Sequence, residues 1–315
     1  MSGFRKVVIT TLVIASVAVG IGAYIIYESG LGAGEIADNF RRLFNENNIN
    51  INLGTGVDVS EESTYQLEGK KNISLETPVG DLTVTGYDGD EIMFTLEGKV
   101  PEKYLDRYLT IEESGDELAI YLYKDINGLK FSMGGDYDLD MELMIPTEYL
   151  GDVEFENVSG EITIDGINAK EVDVDNISGD IILENGKHEK IEFATISGQF
   201  LSYSEVNHLE GDSISGKITA TGVKDSFALE SVSGSIDITA LALKADSEIE
   251  TISGAVSVEF EETQEPQYNL SSVSGSISVE DEDGVNQSSQ SMKKSGGNGP
   301  NLEVSTVSGR ISIKY

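Results

Sequence analysis

The sequence predicts an all-β fold: a single-chain β-solenoid (β-helix) of ~19-residue coils, preceded by one N-terminal transmembrane helix. Three observations predict it. A short phrase built on Ser-Gly recurs eight times at nearly constant spacing. Apolar and polar residues alternate beside each copy. An uncharged apolar run of 21 residues extends from Val7 to Tyr27.

The copies read NVSGEI (157–162), NISGDI (176–181), TISGQF (195–200), SISGKI (213–218), SVSGSI (231–236), TISGAV (251–256), SVSGSI (272–277) and TVSGRI (306–311). Counted serine to serine, the spacings are 19, 19, 18, 18, 20, 21 and 34. A self-similar period with small drift marks stacked units, each covering the apolar face of the next. The expected structural turns are Ser159-Gly160, Ser178-Gly179, Ser197-Gly198, Ser215-Gly216, Ser233-Gly234, Ser253-Gly254, Ser274-Gly275 and Ser308-Gly309. Glycine admits a positive φ or a close backbone approach, and the serine side chain can hydrogen-bond the bend. Gly198→Val is therefore expected to destabilise the fold.

The β-branched residue before each serine, from Val158 to Val307, is expected in an inner column. The residue before that is small and polar throughout, from Asn157 to Thr306. Beyond each Ser-Gly pair a large apolar residue such as Ile162, Ile181 or Phe200 opens a period-two pattern, the mark of a strand with one buried face. A second strand fits the rest of each period, as in Lys170-Glu171-Val172-Asp173-Val174. At ~4.8 Å per layer, eight coils make a rod on the order of 40 Å long.

Charge bounds the partners. The chain has 56 acidic and 21 basic residues, a net charge of −35. Such a surface repels nucleic acid and anionic head groups, so no nucleic-acid partner is expected. There is no cysteine, which excludes disulfides, cysteine metal sites and thiol catalysis.

Four regions follow in order. Residues 1–34 are a cytoplasmic tip and transmembrane anchor. The run from Val7 to Tyr27 is long enough to cross a bilayer, and Arg5 and Lys6 before it place the N-terminus in the cytoplasm. A cleaved signal peptide is the alternative. Residues 35–63 are a juxtamembrane helix and linker: Ile36, Phe40, Leu43 and Phe44 share one helical face, and Asn45 to Ser63 is polar. The helix lies at the membrane interface or packs on the first coil. Residues 64–150 are degenerate capping coils, with Thr77-Pro78-Val79-Gly80-Asp81-Leu82 as an imperfect copy of the phrase and a short helix from Pro101. Residues 151–315 are the regular coils, with a flexible insertion at 281–300 that is Gly/Ser-rich. Deleting 285–299 is expected to leave the fold intact.

A chemical site is hard to find. His188 and His208 lie about one coil apart, but in no recognised metal spacing. Asp281-Glu282-Asp283-Gly284 opens like a calcium loop but lacks the later ligands. Asp173, Asp175 and Glu192 could form an acidic stripe, which solubility alone also explains. No histidine or lysine recurs beside the serines to activate them. No catalytic, cofactor or metal residues are therefore assigned, and no cofactor is expected.

The recurring turns, the segment TPVGDLTVTGYDGDEI (77–92), and Ile145-Pro146 followed by GDVEFENVSGEITIDG (151–166) resemble the bacterial "putative adhesin" family that includes LiaG-like proteins. The resemblance covers about residues 65–315. It implies a β-solenoid ectodomain of unknown function, often behind one membrane segment in the cell envelope, with no established catalytic residues.

These readings converge on a membrane-anchored, extracytoplasmic, adhesin-like protein that is not an enzyme. The expected partners are the membrane, through the N-terminal helix, and an envelope glycan or protein. The alternatives are a polysaccharide-active β-helix enzyme and an accessory component of an envelope-stress response.

Overall fold

The computed structural model describes residues 56–124, 139–261, 264, 266–281, 283–296 and 299–315. The expected membrane span and juxtamembrane helix lie outside them. Among the described residues no helix is long and apolar enough to cross a membrane.

The described chain is almost entirely strand. The first strands are β1 (Gly56–Gln66), β2 (Asn72–Thr77), β3 (Asp81–Tyr87), β4 (Glu91–Pro101), β5 (Leu109–Ser114), β6 (Glu117–Leu122) and β7 (Leu139–Pro146). Next come β8 (Asp152–Ser159), β9 (Ile162–Asp165), β10 (Glu171–Ser178), β11 (Ile181–Ser197), β12 (Phe200–Ser215), β13 (Ile218–Ser233) and β14 (Ile236–Ala240). The last are β15 (Ser247–Ser253), β16 (Val256–Phe260), β17 (Gln267–Asp281), β18 (Gly284–Ser288), β19 (Ser291–Lys294) and β20 (Asn301–Lys314). The short helix expected from Pro101 is a single 3-10 turn, Glu102–Tyr104, with Pro101 as its N-cap.

The coils stack as two parallel ladders that share one core. One ladder holds the strands before each Ser-Gly pair, with serine opposite serine: Ser159, Ser178, Ser197, Ser215, Ser233 and Ser253 align in turn. The other holds the strands after it, with Ile162, Ile181, Phe200, Ile218, Ile236 and Val256 in register. Most inner columns are apolar and buried, as at Val153, Val172, Ile191, Leu209 and Phe227. The Phe193 and Phe200 rings stack 3.6 Å apart inside the third turn. Several strands run unbroken through the corner between the ladders, which is why twenty strands form one sheet.

The stacking order departs from the chain order at both ends. The coil of β2 and β3 lies between the coil of β6 and β7 and that of β8 and β9. At the other end, β20 lies between the coil of β15 and β16 and the coil of β17. Ser253 therefore faces Ser308, and Ser308 faces Ser274. The outermost coil at each end is then covered by antiparallel strands. At the first end β5 pairs with β6 and β4 with β7, with β1 outside β4. At the second, β19 and β18 cover the two halves of β17.

Three expectations change here. The segment at 281–300 carries two strands rather than a flexible loop, because a solenoid end must have its open edge covered. Deleting 285–299 would strip both from β17, so the last coil is now expected to loosen. The linker expected up to residue 63 already holds strand from Gly56. The β-branched residues before the serines face outward, not inward. Val158, Ile177, Ile196, Ile214, Val232 and Ile252 are half-buried, and Val307 and Val273 are 38% and 69% exposed. The inward position is the small polar residue before them, from Asn157 to Thr306.

The turn glycines set how closely the coils approach. From Gly160 to Gly254 each donates its N–H to the serine carbonyl of the next layer, as Gly179 does to Ser197 at 3.1 Å and Gly216 to Ser233 at 3.1 Å. A Cβ on Gly179 would meet the carbonyl oxygen of Gly160 at 2.0 Å, and one on Gly216 that of Gly198 at 1.7 Å. The clash recurs from Gly160 to Gly275, so the glycine is required by contact with the neighbouring coil, and from Gly160 to Gly254 by its own positive φ as well.

The serine hydroxyls do not hold these bends. In the first layers the buried asparagine does: Asn157 Nδ2 donates to the Gly80 carbonyl at 2.9 Å, and its Oδ1 accepts the Ser159 N–H at 3.0 Å. Asn176 repeats this on Gly160 and Ser178. Later layers carry shorter side chains in the same column. Thr195, Ser213, Ser231, Thr251, Thr306 and Ser272 bury hydroxyl oxygens with no hydrogen-bond partner in the structure. Thr195→Asn should restore the amide bridge, here to the Gly179 carbonyl. The expected gain is about 1 kcal/mol, read as a higher midpoint in urea unfolding with unchanged slope.

Candidate functional site: an acidic groove

The ladder before the Ser-Gly turns aligns its outward carboxylates in columns. Five residues before the serine stand Glu154, Asp173, Glu192, Glu210, Glu248 and Glu303, with Ala228 and Asn269 the exceptions. Three residues before it stand Glu156, Asp175, Asp212, Glu230 and Glu250, with Ala194 interrupting the column and Ser305 and Ser271 ending it. Glu76 of β2 extends the second column by one layer. The half-buried β-branched residues run alongside, one outward position nearer the turn. An acidic double row thus borders an aliphatic stripe.

Small side chains open a groove in the middle of this face. Ala194 and Ala228 interrupt the columns, and Gly211 leaves its inner position to the Phe193 ring. A Cβ at Gly211 would meet that ring at 2.0 Å. The groove has a volume of about 330 Å³ and is walled by Asp175, Glu192, Glu210, Asp212, Glu230 and Glu250.

The acids are tuned by burial and by each other. Asp212 is pushed up to about 6, first by burial and then by the charges of Glu230, Glu192 and Glu210. Burial and Glu154 raise Glu76, and burial with Glu250 and Glu303 raises Glu248. Lys190 stands at the edge, 3.0 Å from Glu192 and 2.6 Å from Glu210. Burial opposes its charge, but hydrogen bonds to Glu210 and Glu192 hold its ammonium pKa above the usual lysine value.

The Asp212 shift is also a statement about stability. Its folded pKa of about 6 lies above its ordinary 3.8, so the folded state holds the extra proton between those values. Stability from this group is full below pH ~4 and is lost as pH rises through ~6. Asp212→Asn should therefore raise the melting temperature at pH 7.5 and leave it nearly unchanged at pH 3.5. At neutral pH the relief amounts to at most about 3 kcal/mol.

The structure separates the other candidates. Asp173 lies opposite Glu192, whereas Asp175 lies opposite Ala194 in the second column. The two histidines do not meet: His188 aligns with Val206, and His208 with Lys190. His188 points into the core, where its Nδ1–H donates to the Ala169 carbonyl at 2.8 Å. Burial lowers its pKa against that bond. His208 is exposed, with Nδ1 2.9 Å from Ser226 Oγ. Among the described residues no three His, Asp or Glu side chains converge to hold a metal ion. Ser159, Ser178, Ser197, Ser215, Ser233, Ser253, Ser308 and Ser274 form one outer row at the turns, away from the groove.

Asp212, Glu230 and Glu250 escape a reading of single strands. They emerge when the coils are aligned on their serines, which puts an acid at the same offset in layer after layer.

The fold and the groove define an all-β, solenoid-like protein with a charged trough on the face before its Ser-Gly turns. A family model described as "Toastrack DUF4097" matches residues 61–314, and the chain belongs to that family. Solved structures are similar to this chain at low identity. One, from Parabacteroides distasonis ATCC 8503 and described as a "putative lipid binding protein", is 18% identical with a TM-score of 0.50, covering 81% of this chain and 96% of that one. A "putative adhesin" from the same strain is 13% identical with a TM-score of 0.46, covering 83% and 98%. A "putative cell adhesion protein" from Clostridium sporogenes ATCC 15579 is 13% identical with a TM-score of 0.33, covering 82% and 99%. A comparison with curated proteins finds no match.

Proposed function

We propose that this protein is a non-catalytic, adhesin-like binding scaffold of the cell envelope, held to the membrane by its N-terminal segment with the coils outside. The observation that carries this reading is the double column of carboxylates, repeated at the layer spacing beside an aliphatic stripe. A surface that repeats every ~4.8 Å suits an extended partner, a polymer or a protein segment, better than a compact substrate. Its sign favours cationic groups and repels anionic ones. The anchor rests on the uncharged run from Val7 to Tyr27 with Arg5 and Lys6 before it.

The test is affinity capture. The full-length protein and a variant with Glu192→Gln, Glu210→Gln and Glu230→Gln are immobilised and exposed to envelope extracts. A saturable glycan or protein held by the first and lost by the second supports the reading. Capture by neither, or equally by both, contradicts it.

One observation favours a second reading, a polysaccharide-active enzyme. Asp212, with its raised pKa, stands among Glu192, Glu210 and Glu230, and a carboxylic acid beside carboxylates is the arrangement acid–base chemistry uses. New reducing ends from neutral wall polysaccharides, absent with Asp212→Asn, would establish that reading over the first.

A further inference from the structure

The terminal strands at the two ends of the solenoid differ in charge, and among the described residues each end leaves two strand edges open. At the first end β1 pairs with β4 and β5 with β6, and among the described residues neither has a partner on its other side. At the second end β18 and β19 each pair with β17, and again with nothing on the outer side. These positions correspond. β5 and β19 terminate the ladder before the Ser-Gly turns, and β1 and β18 terminate the ladder after them.

The charges on these four strands are segregated. β1 and β5 carry Asp58, Glu61, Glu62, Glu112 and Glu113 and no cation of their own, although Lys124 reaches Glu112 at 2.6 Å and Lys70 reaches Glu113 at 3.0 Å. β18 and β19 carry Lys293 and Lys294 and no acid, in a chain whose net charge is −35. Lys293 is exposed, and Lys294 lies against the Tyr315 ring. A lysine on an edge strand commonly guards it against pairing. That guard covers β19 and leaves β18, which has no charge and holds Val285 57% exposed.

We propose that copies of this chain stack head to tail, the β18–β19 end of one on the β1–β5 end of the next. Strand on strand, β5 against another β5 would set Glu112 and Glu113 together, and β19 against another β19 would set Lys293 and Lys294 together, so the mixed contact of β5 with β19 is the attractive one, while Asp281 and Asp283 lie at the β17–β18 turn. Strand directions allow it. β1 runs with the coils and β18 against them, an antiparallel pair, while β5 and β19 both run against the coils and meet as a parallel pair. A heterologous contact of this kind does not close on itself, and it extends the rod and its acidic columns from copy to copy. The inference is independent of what the groove binds.

The test uses the full-length protein in detergent, followed by sedimentation velocity over a concentration series and by electron microscopy. Mass should rise with concentration, and rods longer than one copy should appear. Lys293→Glu with Lys294→Glu, or Glu112→Lys with Glu113→Lys, should weaken association at least tenfold. Reversing both ends in one chain should restore it. Val285→Asp, on an exposed side chain that the fold does not need, should weaken association without changing the melting temperature. A single-copy mass up to about 1 mM would overturn the proposal. So would association unmoved by all of these changes, which would place the contact elsewhere, as in the N-terminal segment.

Discussion

Gly198→Val is expected to cost about 4 kcal/mol or more and to lower the melting temperature by roughly 10 °C or more. Two independent terms combine. Gly198 has φ +151, where a β-branched residue is strained. Its new Cβ would also meet the Gly179 carbonyl oxygen at 2.0 Å, and that oxygen belongs to backbone that cannot rotate away. The layers are fixed at their spacing by hydrogen bonds on both ladders, so relief would require parting two coils. Gly69→Val separates the terms. Gly69 has φ +85 but nothing within 4 Å of its Cβ position, so that change should cost about 1 kcal/mol. Equal effects in thermal unfolding would show that contact between coils contributes nothing.

Removal of residues 301–315 should have the second large effect. β20 is an internal layer although it is the last in sequence, and it buries Leu302, Val304, Ile311 and Ile313 completely. At about 1.5–3 kcal/mol per buried side chain this is roughly 6–12 kcal/mol of burial, before the entropy of ordering is subtracted. Its loss also leaves β15 and β16 facing a gap. Amide exchange should accelerate from residue 247 onward while β10 to β13 keep their protection, because coils in a stack feel mainly their neighbours. Uniform protection in the shortened chain would mean that β17 had closed onto β15 without cost.

Much of this molecule was legible in the sequence, for a definable reason. The Ser-Gly phrase fixes the phase of every coil, and the alternation through Ile162 or Ile236 shows which residues go inside. The phase differs from expectation beside the serines. Counting inward positions from Val153 through Phe155 lands on Asn157, so Val158 must face out. A β-branched residue beside a buried asparagine reads as the core member only if hydrophobicity alone is used. The order of the layers was not legible at all. Each coil offers the same Ile/Val inner columns above and below, so nothing local forbids β20 from sitting beneath β17. The edge strands β18 and β19 were hidden for another reason. Their Asn, Gln, Ser and Lys residues need bury nothing, since they cover an edge rather than a core. The groove was half legible: each strand shows its alternating acids, but the columns exist only once the register is known.

The stacking itself has a direct test, which the absence of cysteine makes clean. Ser253, Ser308 and Ser274 are exposed, so each can carry a thiol without disturbing the core. A chain with Ser253→Cys and Ser308→Cys should form an intramolecular disulfide on mild oxidation, because adjacent strands place paired Cα atoms within the ~4.4–6.8 Å that the bond requires. A chain with Ser253→Cys and Ser274→Cys should not, since those positions are two layers, or ~10 Å, apart. Ready closure of the second pair with none of the first would mean that the coils follow sequence order, and the out-of-order solenoid described here would be wrong.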